Sequence, residues 1–258
     1  MMSLKNKIVL ITGASSGIGA ACAKQFAKLG ASALLCARRL DILEILATQI
    51  QNDYGVKAHP FQLDVSHHQA VQTILESLPT AWKNIDILIN NAGLAAGLDP
   101  IQAGHIEDWE EMINTNIKGL LYMTRAILPQ MVAKNAGHII NLGSIAGHQV
   151  YPNGAVYCAT KYAVKALSEG LRMDLLGTNI RVSSIDPGAV ETHFSIVRFK
   201  GDMKRAEAVY HGMQPLSPDD IADAVLYCAM RPPHVNISEI IIMPTDQVSA
   251  TLLSRKDG

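Results

Sequence analysis

Ile8-Val9-Leu10-Ile11-Thr12-Gly13-Ala14-Ser15-Ser16-Gly17-Ile18-Gly19 decides the fold of this 258-residue chain. Four consecutive apolar residues, three of them β-branched, read as a strand buried on both faces. Three glycines then end the strand in a sharp turn, and a helical pattern follows. Gly13, Gly17 and Gly19 give a G-x-x-x-G-x-G spacing. Such glycines let the backbone approach a ligand closely, and the N-terminus of the next helix offers N–H groups and a positive dipole to a pyrophosphate. Ser15 and Ser16 add hydroxyl donors, and Ile18 opens the helix. A tight turn without a ligand is the competing reading of these residues taken alone.

Working outward, apolar runs at 33–37, 58–62, 85–90, 137–142, 180–185 and 237–243 alternate with helical patterns at 18–29, 39–54, 66–77, 107–133, 156–176 and 218–230. With 8–11 they make seven strands. This alternation predicts an α/β fold: a single doubly wound Rossmann-type domain over residues 1–258, with a central, mostly parallel seven-stranded sheet flanked by helices. The segment 190–214 stands apart, polar and poorly periodic. It reads as a substrate-binding lid or as a plain surface excursion.

Composition excludes several classes. The chain is 48% hydrophobic and 17% charged with a net charge of −1. It has no global basic field for nucleic acid or an anionic membrane. No run approaches the roughly 20 apolar residues that span a bilayer, and no secretory signal is expected at the start. Cys22, Cys36, Cys158 and Cys228 have no metal-ligand spacing and mostly apolar neighbours. Buried free thiols in a reducing cytoplasm are therefore expected, and no metal site.

Charge near the second strand selects a cofactor. A nucleotide site for NAD usually carries an acidic residue about 20 positions after the glycine turn. Here Arg38 and Arg39 stand there, and a planar guanidinium fork suits the 2′-phosphate of NADP. Asp64, followed by Val65, either accepts from the adenine amino group or caps the helix expected from Ser66. Asn91, Ala92 and Gly93 end the fourth strand at the crevice of such a sheet. There Asn91 either bonds across strands or meets a ribose, and Gly93 permits close approach.

Tyr157 and Lys161 stand four residues apart on a predicted helix and share a face. A phenol with its usual pKa near 10 is about one part in a thousand ionised at pH 7, and a nearby ammonium eases ionisation. Tyr157 is thus a candidate proton donor to a developing alkoxide, and in reverse a base. Ser144, thirteen residues upstream, can bond the same oxygen. Asn116, within the long predicted helix, can position Lys161 through water.

These residues, with Asp186-Pro187-Gly188, resemble the short-chain dehydrogenase/reductase family along nearly the whole chain. The resemblance implies a catalytic tetrad of Asn116, Ser144, Tyr157 and Lys161, with Tyr157 and Lys161 also touching the cofactor. It further implies that Pro187, Gly188, Val190 and Thr192 close over the nicotinamide and diphosphate. Within the family, stretches 84–88, 197–202 and 234–237 resemble the NADP-dependent 3-hydroxy acid dehydrogenases that oxidise serine and allo-threonine. The loop 189–193 departs from them, being shorter and poorer in glycine. A hydroxy acid needs a cation for its carboxylate. Arg198 is the favoured candidate over Lys200 and Arg205, and His148, Tyr151 and Met213 are further candidates for the pocket. A carbonyl or 3-oxoacyl reductase is the nearer alternative, and a non-catalytic NADPH-binding regulator the more distant one. Relatives assemble as homotetramers or dimers through two long helices, which here carry Leu120, Leu121, Ala166, Leu167 and Leu171.

Overall fold

The structure is a computed structural model and describes residues 3–256. Met1, Met2, Asp257 and Gly258, which the sequence reading counts within the domain, lie outside the described residues. Seven strands form one sheet: β1 (Ile8–Thr12), β2 (Ser32–Ala37), β3 (Ala58–Gln62), β4 (Ile87–Asn90), β5 (Gly137–Leu142), β6 (Ile180–Pro187) and β7 (Glu239–Ile242). Their order is β3-β2-β1-β4-β5-β6-β7, and every neighbouring pair is parallel. The order reverses between β1 and β4, where Val9 lies opposite Ile87 and Ile11 opposite Ile89. A crevice must open beyond the carboxyl ends of these two strands, because their crossover connections leave in opposite directions.

Strand alternation builds two cores. Val9, Ile11, Ala33, Leu35, Ile87, Ile89 and Ile140 point to one face. There they meet α1 (Gly17–Lys28), α2 (Leu40–Tyr54) and, further along the chain, the helix Pro218–Ala229. Leu10, Leu34, Cys36, Leu88, Ile139 and Val182 point to the other face. Two of the helices covering them are α3 (His68–Ser77) and the helix Leu120–Lys134. Residues one apart face opposite sides of a pleated strand, so a strand covered on both faces has no polar side. All four cysteines are free and buried.

The expected helix 107–133 is three pieces. These are α4 (Ile106–Ile113), a π-helical turn at Asn114–Gly119 and α5 (Leu120–Lys134). The wide turn carries the buried Asn116 inward, where its side chain bonds Leu94 N and O at 2.9 and 2.8 Å and Thr160 Oγ1 at 3.0 Å. Insertions of this kind are frequent at functional sites, and apolar periodicity does not reveal them. Helix α6 (Ala155–Asp174) follows β5. The poorly periodic segment 190–214 contains two short helices, α7 (Phe194–Arg198) and α8 (Met203–Ala208), and α9 is Pro218–Ala229.

A polar ladder crosses the sheet close to the crevice. Asn90 Nδ2 donates to Asn141 Oδ1 at 2.9 Å, and Asn141 Nδ2 donates to Ser168 Oγ on α6 at 2.8 Å. Asn141 has no exposed surface. Asn141→Ala should therefore lower stability by about 1–3 kcal/mol, the cost of leaving buried partners unmet. A urea midpoint shift measures it, and an unchanged midpoint would show that the ladder contributes nothing net.

Candidate active site

The glycine turn is fixed by its neighbours. Gly13 has φ +66°, and a Cβ there would lie 2.9 Å from Asn91 Nδ2 and 3.0 Å from Ala92 Cα, so only glycine fits. Thr12 Oγ1 accepts from Asn91 N at 3.0 Å and Ala92 N at 2.9 Å, and Asn91 Nδ2 donates to Thr12 O at 2.8 Å. The bond across strands expected of Asn91 is present, and Asn91 also lines the cavity. Helix α1 begins after Ser16, whose side chain makes no capping bond, and its first turn holds no acidic residue. Arg39 Nη2 donates to Ser15 Oγ at 2.9 Å and to Ser16 Oγ at 3.2 Å. A guanidinium, two hydroxyls and the amino end of a helix thus converge without a carboxylate, which is a donor set for an anion.

Arg38 is exposed and lies 3.7 Å from Glu111. Asp64 Oδ1 accepts from Ser66 N and Ser66 Oγ at 2.9 and 2.7 Å. Helix α3 starts at His68 with His67 as its N-cap, so Asp64 makes a turn just before the helix and is not its cap. Partial burial works against the Asp64 charge, but the Ser66 bonds and the nearby Arg38 and His67 outweigh it and hold the carboxyl below its usual range.

One cavity of about 770 Å³ runs from this cradle to Tyr157. It is lined by Gly13, Ser15, Ser16, Gly17, Ile18, Arg38, Arg39, Asp64, Val65, Asn91, Ala92 and Gly93 at one end. Ser144, Tyr157, Lys161, Pro187, Gly188, Val190, Thr192 and Arg198 also line it. Of the residues singled out from sequence as cofactor or tetrad positions, Gly19 and Asn116 are not in its wall. Gly19 packs beneath the turn, and Asn116 sits behind Gly93, where a Cβ would come 3.3 Å from Asn116 Oδ1.

At the far end Tyr157 is buried, and Ser144 lines the same wall of the cavity. Lys161 Nζ lies 5.9 Å from the Tyr157 ring centroid and Arg198 Cζ 5.8 Å from it. Lys161 is buried too, and its Nζ donates to Leu142 O at 2.9 Å. Burial pulls the Lys161 pKa down to about 8, against the opposing field of Asp186. The Lys161 ammonium is not among the groups that lower the Tyr157 pKa. Burial, with Tyr151 adding to it, pushes Tyr157 above its usual value, and the neighbouring Ser144 hydroxyl and Arg198 only offset part of that. Tyr157 is therefore held protonated, as a donor.

The three basic candidates separate cleanly. Arg198 Nε donates to Gly97 O at 3.1 Å, and its guanidinium faces the rings of Tyr151 and Tyr157. Lys200 pairs with Asp108 at 2.8 Å, and Arg205 stacks 4.4 Å from the Phe199 ring centroid. Neither lines the cavity, and nor do His148 and Met213, whereas Tyr151 does. Phe194, whose ring meets that of Tyr157 edge-on at 5.6 Å, also lines it, as do Gln247, Leu253 and Arg255. Sequence reasoning missed these four. Phe194 directly follows the 189–193 loop, which was a usable signal, but the C-terminal three sit in a stretch without periodicity.

Residues 7–202 match the family model of the short chain dehydrogenases, and the chain belongs to that family. It is 44% identical over its whole length to the whole of an NADP-dependent 3-hydroxy acid dehydrogenase of Schizosaccharomyces pombe. It is 47% identical to an NADP-dependent 3-hydroxy acid dehydrogenase of Escherichia coli (strain K12), across 95% of this chain and 98% of that protein. Among solved structures, the closed form of a serine dehydrogenase complexed with NADP+ superposes with a TM-score of 0.90 at 46% identity, covering 97% of this chain and 100% of that one. No helix among the described residues is long and apolar enough to cross a membrane.

The depressed Lys161 pKa carries a stability cost of known sign. With about 8 in the folded chain against 10.5 unfolded, folding is penalised by about 3 kcal/mol wherever both states are protonated. The penalty is complete below about pH 8 and fades as pH rises toward the unfolded value. Lys161→Met should therefore be more stable than the parent near neutral pH, by up to about 3 kcal/mol less the lost Leu142 bond. Urea titrations at several pH values should show the advantage vanishing in strongly alkaline buffer. A pH-independent difference would contradict the assignment.

Proposed function

We propose that this protein is an NADP-dependent oxidoreductase that moves a hydride between the nicotinamide and the hydroxyl-bearing carbon of a small 3-hydroxy acid such as serine or allo-threonine. The single observation that carries the reading is the Arg198 guanidinium facing the Tyr157 ring at the end of the cavity that Ser144 also lines. It offers a carboxylate anchor within reach of a proton donor. A general carbonyl or 3-oxoacyl reductase would need the Ser144 and Tyr157 groups but no such cation. The relatives' names point the same way.

The cradle fits the cofactor on its donor chemistry. In this proposal the turn from Gly13 to Gly19 and the start of α1 hold the pyrophosphate, and Arg38 with Arg39 and the serine hydroxyls hold the 2′-phosphate. Asp64 and Val65 flank the adenine, and Asn91, Ala92 and Gly93 the ribose. Pro187, Gly188, Val190 and Thr192 bound the nicotinamide end. NADP, when bound, supplies the hydride acceptor.

The remaining chemistry belongs to the chain. Ser144 fixes the substrate oxygen, and Tyr157 gives it a proton in reduction or takes one in oxidation. Taking a proton requires a phenolate, which burial opposes. The Lys161 cation must offset that opposition when the site is filled and water is excluded. Asn116 acts from behind, holding the backbone at Leu94 next to Gly93. The segment 190–214, through Arg198 and Phe194, is proposed as the substrate-binding lid. Exposed Leu121 and Ala166 on α5 and α6 leave apolar surface for a homo-oligomer, and a cytoplasmic location accords with four free thiols.

Arg38→Ala combined with Arg39→Ala should cut the kcat/KM preference for NADP over NAD by about 10- to 100-fold, the worth of one or two charge-assisted bonds. An unchanged ratio would remove the 2′-phosphate assignment. A screen of L-serine, allo-threonine and 3-hydroxypropanoate against plain alcohols, ketones and 3-oxoacyl thioesters tests the substrate class. Arg198→Ala should raise KM for the acids alone, by about 10-fold or more, and Tyr157→Phe should abolish turnover. Turnover that survives Tyr157→Phe would overturn the mechanism, and NADPH binding without any turnover would favour a regulator.

A further inference from the structure

Behind Lys161 lies a group of ionisable side chains that the proposed reaction leaves unused. Asp186 on β6 is 1% exposed, and neither it nor His148 lines the cavity. Asp186 Oδ1 accepts from Ser184 Oγ at 2.6 Å, and Oδ2 lies 2.7 Å from His148 Nε2. Lys165, one turn beyond Lys161 on α6, has its Nζ 2.9 Å from His148 Nδ1. An ammonium can only donate, so Nδ1 accepts and the ring hydrogen sits on Nε2, where it is given to Asp186. Glu239 of β7 completes the group, 3.5 Å from His148 Nε2 and 3.9 Å from Lys165 Nζ. These acceptors would suit a bound cation, but Lys165 already supplies the positive charge.

The group reaches Lys161 across a single peptide unit. Lys161 Nζ donates to the carbonyl of Leu142. A side chain on Gly143, the next residue, would collide with Asp186 Oδ1. Ammonium and carboxylate therefore flank the Leu142–Gly143 peptide, and the Asp186 charge opposes the loss of the Lys161 proton that burial promotes. Tyr157 on α6 is the other ionisable group facing Lys161. A carboxylate this deeply buried is tolerable only when its oxygens meet donors, and Ser184 and His148 provide one for each.

Building on the reading of Lys161 as the cation that serves Tyr157, we propose that Asp186 is a positioning residue that keeps Lys161 charged and in place. His148 is the donor that fixes Asp186. His148 and Lys165 connect this buried pair toward the surface, with Lys165 partly exposed.

The test follows Lys161 itself. In protein carrying isotope-labelled lysine, the Lys161 resonance is assigned by its absence from Lys161→Met and titrated by NMR. The parent midpoint should lie near 8. Asp186→Asn should move it down by about one pH unit or more, and His148→Ala should move it in the same direction. His148→Gln, whose amide can still donate to Asp186, should bring it back toward the parent value. The alkaline limb of kcat/KM for L-serine oxidation with NADP should shift by the same amount, whereas a merely structural defect would lower activity alike at every pH. Midpoints that do not move in Asp186→Asn and His148→Ala overturn the proposal. Should Asp186→Asn not fold, the comparison of His148→Ala with His148→Gln decides alone. Shifted midpoints in a protein that oxidises no hydroxy acid would sink the proposed substrate and leave the support of Lys161 standing. Normal turnover with unmoved midpoints would do the reverse.

Discussion

A single ammonium taken almost wholly out of water sets the terms for this molecule. Lys161 is 7% exposed, and a charge in that position survives only with directed partners. Leu142 supplies its carbonyl at the end of β5, and Asp186 supplies the opposing charge from the end of β6. Both partners exist because parallel strands finish side by side at the same edge of the sheet, so their last polar groups crowd together. The same burial that makes the ammonium costly makes its field strong, because little water remains to screen it. The stability penalty and the proposed chemistry have one source.

The sheet decides where this charge can be used. Between β1 and β4 the connections part, and the crevice they leave holds a phosphate-type cradle at one end and Tyr157 at the other. Asn91 and Thr12 lace the two strand ends together, which keeps the Gly13 turn tight against β4. The segment 190–214 then covers the far end. It is anchored by Arg198 to the backbone at Gly97 and by Lys200 to Asp108, and is closed on itself by the Tyr210 hydroxyl donating to Val190 O. Lys200 pairs with Asp108 and Arg205 lies over the Phe199 ring, both outside the cavity wall. Arg198 alone of the three turns its guanidinium inward, against Tyr151 and Tyr157.

The linear pattern determined the seven strands, their parallel arrangement and the glycine turn, because each rests on local rules. Continuous apolar runs require cover on both faces, and a left-handed Gly13 requires glycine. Tyr157 and Lys161 were legible as a pair because a helix repeats nearly every four residues. Tertiary structure decided the rest. A π-helical turn, invisible to periodicity, swung Asn116 inward. Phe194 and the distant Arg255 joined the cavity through chain folding that no spacing records. Charge is the sharpest case: sequence says only that a phenol and an amine share a helix face, whereas their proton affinities depend on how much water the surrounding fold removes. That quantity is a sum over neighbours from β5, β6 and α6, and no stretch of sequence contains it.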